Sequence, residues 1–295
     1  MKLFSNIAKP LSSVCCICAV LLCLNSFMAS ASNADYSYLP ASELKQLQVE
    51  GKDVPALLRP WLGNKQLGLT IIVPAFSERA DAPGLVSNLR HELNYSGWAT
   101  LALTPPSLSK APYFVTHAEE VNKAGEQQNS VPANQEIPDF SAEQLALTQQ
   151  QQRDFMLSAM AQLDSLGKSF TGKRMLIAIG NSANLVIELL ETKHLPMPDI
   201  LVVINPYSDI ASVNKALPQK LAALSIPVLD IQSKDGSSAS LATQAQRRVL
   251  SPANAPTRYS QQSLALDLSL QVAWNDSLKF IEGFANRINK AYPNR

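Results

Sequence analysis

The stretch Met175-Leu176-Ile177-Ala178-Ile179-Gly180-Asn181-Ser182-Ala183-Asn184 decides how the chain is read. Its first half is short and wholly apolar, as a strand buried on both faces requires. Its second half turns through glycine into helical spacing over residues 183–193. A serine on such a strand-to-helix turn exposes its hydroxyl, the arrangement of a nucleophile elbow. Gly180 matches the first glycine of the usual G-x-S-x-G pattern. Asn184 stands where the second would be, so its side chain needs room beside the neighbouring strand. On this reading the backbone N–H of Ala183, at the helix N-terminus, helps hold an oxyanion. The plainer reading makes Ser182 the N-cap of the helix.

Outward from this point the text alternates strands and helices. Leu69 to Val73, Trp98 to Leu103, Ile200 to Ile204 and Val228 to Ile231 are apolar runs, the first two closed by Pro74 and Pro105-Pro106. Residues 84–95, 208–224 and 238–250 have helical spacing; in the first, Leu85, Leu89 and Leu93 share a face from which Asn88 and His91 point away. Apolar strands separated by helices predict an α/β fold, a mostly parallel central sheet with helices on both faces. Leu264, Leu266, Leu268, Leu270 and Val272 alternate with small or polar residues, which predicts a half-buried edge strand. Leu278, Ile281, Phe284, Ala285 and Ile288 line a final helix.

Residues 105–140 break the rhythm with five prolines and a polar middle, and read as a long lid-like insertion. Ser141 and Gln144 form a capping box for a helix over residues 141–166, with Phe140 stapled onto Leu145. Gln149 to Gln152 read as its solvated face.

The chain has 295 residues, is 46% hydrophobic, and carries 25 Lys+Arg against 24 Asp+Glu. That apolar content excludes a fully disordered protein, and the charge balance argues against a nucleic-acid binder. Lys2, Lys9, the apolar run Val14 to Leu24 and Ala29-Ser30-Ala31 read as an export signal cleaved near Ala31, the other reading being an uncleaved membrane anchor. The expected mature chain, residues 32–295, is one domain with 23 cationic and 24 acidic side chains and no membrane span. All four cysteines lie in the signal, so the mature chain has no disulfide and no thiolate metal site, a pattern that fits the periplasm.

A triad built on Ser182 needs an acid and a histidine. Asp235 follows the strand expected to neighbour the elbow and is the candidate acid, although Asp235-Gly236 also reads as a turn. Of the three histidines, His91 is on a polar helix face and His194 follows a helix, which leaves His117 in the insertion as the candidate base. The place after the last strand, where this architecture carries its base, holds Asp267 or Asn275 instead. Ala75 and Phe76 offer the second oxyanion amide.

Gly167 to Lys173 only superficially spells a phosphate loop, because Arg174 stands where Ser or Thr should meet magnesium and the segment precedes a strand. No zinc or calcium spacing occurs, and no cofactor or metal is expected. Tyr36, Tyr38 and Trp61 read as core or docking aromatics.

Ala82-Pro83-Gly84-Leu85-Val86-Ser87-Asn88-Leu89-Arg90-His91-Glu92-Leu93 and Gly97-Trp98-Ala99-Thr100-Leu101-Ala102-Leu103 resemble an exported bacterial family. That family is classed as α/β-hydrolase-like, with a domain of unknown function, and the resemblance covers roughly residues 45–290. It implies the α/β-hydrolase fold and supplies no substrate. Many relatives carry a His-Gly type turn where Pro74-Ala75-Phe76-Ser77 stands here, which touches the second oxyanion donor. Two readings follow. In the first, an incomplete triad leaves a degenerate hydrolase that binds a small molecule or an envelope partner. In the second, Ser182 hydrolyses an ester or amide with Asp235 and His117.

Overall fold

The computed structural model describes residues 36–76, 78–106, 142–254 and 259–293. The export signal, His117, the capping residue Ser141 and all but the first two residues of the 105–140 insertion lie outside the described residues.

The elements in chain order are β1 (Leu44–Val49), β2 (Lys52–Arg59), β3 (Gly68–Val73), α1 (Leu85–Tyr95), β4 (Trp98–Leu103), α2 (Ala142–Gly167), β5 (Lys173–Ile179), α3 (Asn181–Glu191), β6 (Ile200–Ile204), α4 (Ala211–Ala223), β7 (Val228–Gln232), α5 (Ser238–Asn254), β8 (Tyr259–Ser263) and α6 (Gln271–Ala291). They build one eight-stranded sheet in the order β1-β2-β4-β3-β5-β6-β7-β8. β2 runs antiparallel to both neighbours, and every other pairing is parallel.

Alternation explains why the central strands read as continuous apolar runs. Leu176 and Ala178 of β5 join a core with Met156, Leu163, Ile187 and Leu221. Met175, Ile177 and Ile179 join the opposite core with Leu89, Leu93, Phe284 and Ile288. Both faces are covered, α2, α3 and α4 on one and α1 and α6 on the other, so both select apolar residues along the central strands.

Two sequence expectations change. The leucine alternation at 264–272 is not a strand: the edge strand is β8, the polar Tyr-Ser-Gln-Gln-Ser segment just before it. Leu264 is buried, whereas Leu266, Leu270 and Val272 are 40%, 47% and 56% exposed, so the alternate residues share no face. A period of two needs a partner strand to become a sheet, and the backbone here turns instead, with Leu270 N–H donating to Asp267 O at 3.0 Å. Second, β6 separates β7 from β5, so Asp235 follows a strand two places from the elbow. The hairpin β1–β2 adds two strands to those the sequence predicts.

Polar contacts lock the layers. Arg247 on α5 and Asp230 on β7 are both fully buried and pair at 2.9 Å, joined on Asp230 by Tyr259 (2.8 Å) and Gln261 (2.9 Å) of β8. Glu43 accepts from Arg59 at 2.7 Å and from the buried Arg90 at 2.6 Å, tying β2 to α1. Of the early aromatics, Tyr36 is buried, Tyr38 is exposed and Trp61 meets Phe170 edge-on at 5.1 Å.

Candidate functional site

In an open α/β sheet the ligand crevice lies at the carboxyl edge where strand order reverses. Here that point lies between β3 and β5, because the chain leaves β3 toward β4 and returns on the other side as β5. Pro74-Ala75-Phe76 follows β3 and Gly180 follows β5.

The structure places Gly180 at the apex of the elbow turn. Gly180 follows β5 with φ 63° and ψ −134°, and α3 begins at Asn181. That backbone conformation is nearly closed to side-chain-bearing residues. A Cβ there would stand 3.2 Å from Ala75 Cβ and 3.6 Å from Tyr207 Cε1. The small residues that flank a crowded elbow are Ala178 and Ser182, two positions to either side.

Ser182 is the second residue of α3 and is fully buried. Its Oγ donates to Ile179 O at 2.9 Å and lies 3.2 Å from Val73 O, so it ties the helix start to β5 and β3. Asn184 is also buried, and its Oδ1 has no hydrogen-bond partner.

The three amides proposed as oxyanion donors are engaged within the chain. Ala183 N–H donates to Gly180 O at 3.3 Å. Phe76 N–H donates to Asn181 Oδ1 at 3.0 Å, and Ala75 N–H to Glu78 Oε2 at 3.4 Å. Burial pushes the Glu78 carboxyl above the usual carboxylate range, against the lowering effect of the Ala75 amide. Burial, then Asp209 and Glu78, push the Tyr207 phenol up. Side-chain oxygens of Asn181 and Glu78 thus occupy the amides of Phe76 and Ala75.

Asp235 lies in the loop after β7. Its Oδ1 accepts from Ser233 Oγ at 2.5 Å, and its Oδ2 from Leu268 N–H at 2.9 Å. Asn205, in left-handed conformation at φ 48°, accepts from Ser233 N–H at 2.8 Å and donates to Ser233 Oγ at 2.7 Å. The carboxylate thus meets a backbone amide of the loop after β8, from which a base would reach it. That loop, residues 264–270, contains Asp267 and no histidine. Asn275 lies in α6.

The two described histidines are elsewhere. His91 is half-buried on α1, its Nδ1–H donating to Ser87 O at 2.8 Å, and burial lowers its pKa. His194 lies past the far end of α3, beside Thr192. Among the described residues no group of three or more His, Cys, Asp and Glu could hold a metal ion, and no helix is long and apolar enough to cross a membrane.

The structure brings Ser182, Ala183, Ala75 and Phe76 together at one crevice and sets Asp235 apart, beyond β6. Glu78, Asn181, Asn205, Tyr207 and Ser233 escaped sequence reasoning. One signal was available for the elbow: Gly180 is the first residue after the apolar run.

A family model described as protein of unknown function (DUF3530) matches residues 24–287. The chain belongs to that family. No curated protein matches this DUF3530 member. Among solved structures it is similar to Est1E from Butyrivibrio proteoclasticus, at 11% identity and TM-score 0.51, covering 81% of this chain and 99% of the other. An α/β serine hydrolase homologue from Coxiella burnetii gives 11% identity and TM-score 0.52 over 85% and 99%. An esterase from Pyrococcus furiosus gives 10% and 0.53 over 83% and 90%. At such identities the likeness shows the fold alone: the chain has the α/β-hydrolase fold.

Proposed function

We propose that this DUF3530 member is a degenerate hydrolase, exported to the periplasm after cleavage near Ala31, that acts by binding a small molecule or an envelope partner without turnover. Gly180 at the elbow apex carries this reading, because acyl transfer by a hydrolase elbow needs a nucleophile there and glycine has none. The engaged amides of Ala75 and Phe76 support it, as does Asp235 holding the loop after β8. In the alternative, Ser182 is the nucleophile with Asp235 and His117; the burial of its hydroxyl against Ile179 O weighs against this.

The test is hydrolysis of p-nitrophenyl acetate and butyrate by the full mature chain beside Ser182→Ala and Asp235→Ala. All three should match the protein-free rate. Turnover by the wild type that falls by 100-fold or more in Ser182→Ala, as loss of a triad member does, would overturn the reading.

A further inference from the structure

Away from the elbow, a cluster of charges seats the β1–β2 hairpin on α1. The Glu43 carboxylate accepts from Arg59 of β2 at 2.7 Å and from Arg90 of α1 at 2.6 Å, while Glu43 O accepts from Leu58 N–H at 2.8 Å. Beside it, Asn94 Oδ1 accepts from Arg59 Nε at 3.0 Å, and Asn94 O from Leu62 N–H at 2.9 Å. One carboxylate thus serves two guanidiniums, which leaves one positive charge unbalanced. Arg90 is only 1% exposed and is held at Glu43, so its charge has no route to water.

His91 stands at the rim of this cluster. Its Nδ1 meets Ser87 O at 2.8 Å, and because a carbonyl can only accept, Nδ1 carries the proton. Nε2 is then the bare nitrogen, and Arg90 Nη2 donates to it at 3.4 Å. A second proton on the ring would set N–H against N–H there, and a cation beside a guanidinium already short of anion. Burial, then Arg90 and Arg59, lower the ring's pKa against the opposing effects of Ser87 O and Glu43. The elements packed on α1 bring no other charge to the ring: β4 is Trp-Ala-Thr-Leu-Ala-Leu, and α6 reaches α1 with Glu282 at Ser96, past the helix end. Glu92 projects about 100° further round α1, on the flank away from Arg90.

We infer that His91 is an acid-sensitive lock on this joint: the neutral ring closes over Arg90, and protonation drives it off, opening the buried guanidinium to water and loosening the hairpin's seat on α1. The sign follows from linkage. A ring harder to protonate in the folded chain gives stability that is complete above its ordinary value of 6.5 and is lost as pH falls through the lowered one. The half-buried ring is the part free to move, since Arg90 and Glu43 are both buried. The lock shares no residue with the elbow, so it stands or falls separately from the absence of turnover.

The test is a titration of the ¹⁵N-labelled mature chain between about pH 8 and about pH 4.5, beside His91→Gln and Arg59→Gln. The imidazole whose signals vanish in His91→Gln should be the Nδ1–H tautomer and should titrate below 6.5. Arg59→Gln removes one cation of the cluster and should move that pKa upward, toward 6.5. Hydrogen exchange reads the joint itself. From about pH 8 to about pH 5, protection of the Leu58 and Leu62 amides should fall at least about fivefold further in the wild type than in His91→Gln, while that of Val202 in β6 changes alike in both. A ring that titrates at or above 6.5, an Nε2–H tautomer, a pKa unmoved by Arg59→Gln, or an equal loss of protection in wild type and His91→Gln would each overturn the inference.

Discussion

Replacing Gly180 by alanine adds one methyl group and interrogates the elbow directly. At φ 63° and ψ −134° a side-chain-bearing residue costs about 1–3 kcal/mol in backbone strain. The new Cβ would lie 3.2 Å from Ala75 Cβ, a contact that the β3 turn must relax to accept. Against this, alanine restricts the unfolded chain and returns about 0.4–1 kcal/mol. The balance is a loss of about 1–2 kcal/mol. At about 2–4 °C per kcal/mol for a chain of this size, Gly180→Ala should melt roughly 2–8 °C below wild type. Thermal unfolding followed by circular dichroism measures it, with Ser182→Ala as comparison. Gly180→Ala melting at or above the wild-type temperature would refute the placement of Gly180 at the strained apex.

Two further outcomes follow from buried charge. Arg247→Met strands the fully buried Asp230 without its cation and should cost about 3–5 kcal/mol, while the double change Arg247→Met/Asp230→Leu should recover much of that, as chemical denaturation of the set will show. Glu78 has a raised pKa because burial disfavours its charge, so its contribution to stability is complete below the ordinary value of 4.5 and is lost as pH rises through the raised one. Glu78→Gln keeps an acceptor for Ala75 N–H and should be more stable than wild type at pH 7, with the advantage shrinking on acidification; a pH-independent difference between the two melting curves would contradict this.

The fold was legible wherever burial on both faces forced a residue type. Ile200 to Ile204, covered on both sides, has no polar option, and the run announces itself. β8 was invisible for the opposite reason. Its Tyr259 and Gln261 are held by hydrogen bonds to Asp230, which leave no hydropathy pattern. The leucines at 264–272 misled because alternation along a chain does not say whether a partner strand exists. At the site, sequence showed that a strand-to-helix turn occurs near 180 and that no histidine follows the last strand. It did not show which residue takes the apex, because that depends on where β5 ends to within one residue. The engagement of the Ala75 and Phe76 amides depends on the contacts of Glu78 and Asn181, which no spacing rule reveals.

The most direct measurement of whether the elbow carries a nucleophile is labelling of the mature chain by a fluorophosphonate probe, read by intact mass beside Ser182→Ala and a known esterase. The expected result is no adduct on either form under conditions that label the esterase to completion. A stoichiometric adduct on the wild type that disappears in Ser182→Ala would contradict the account.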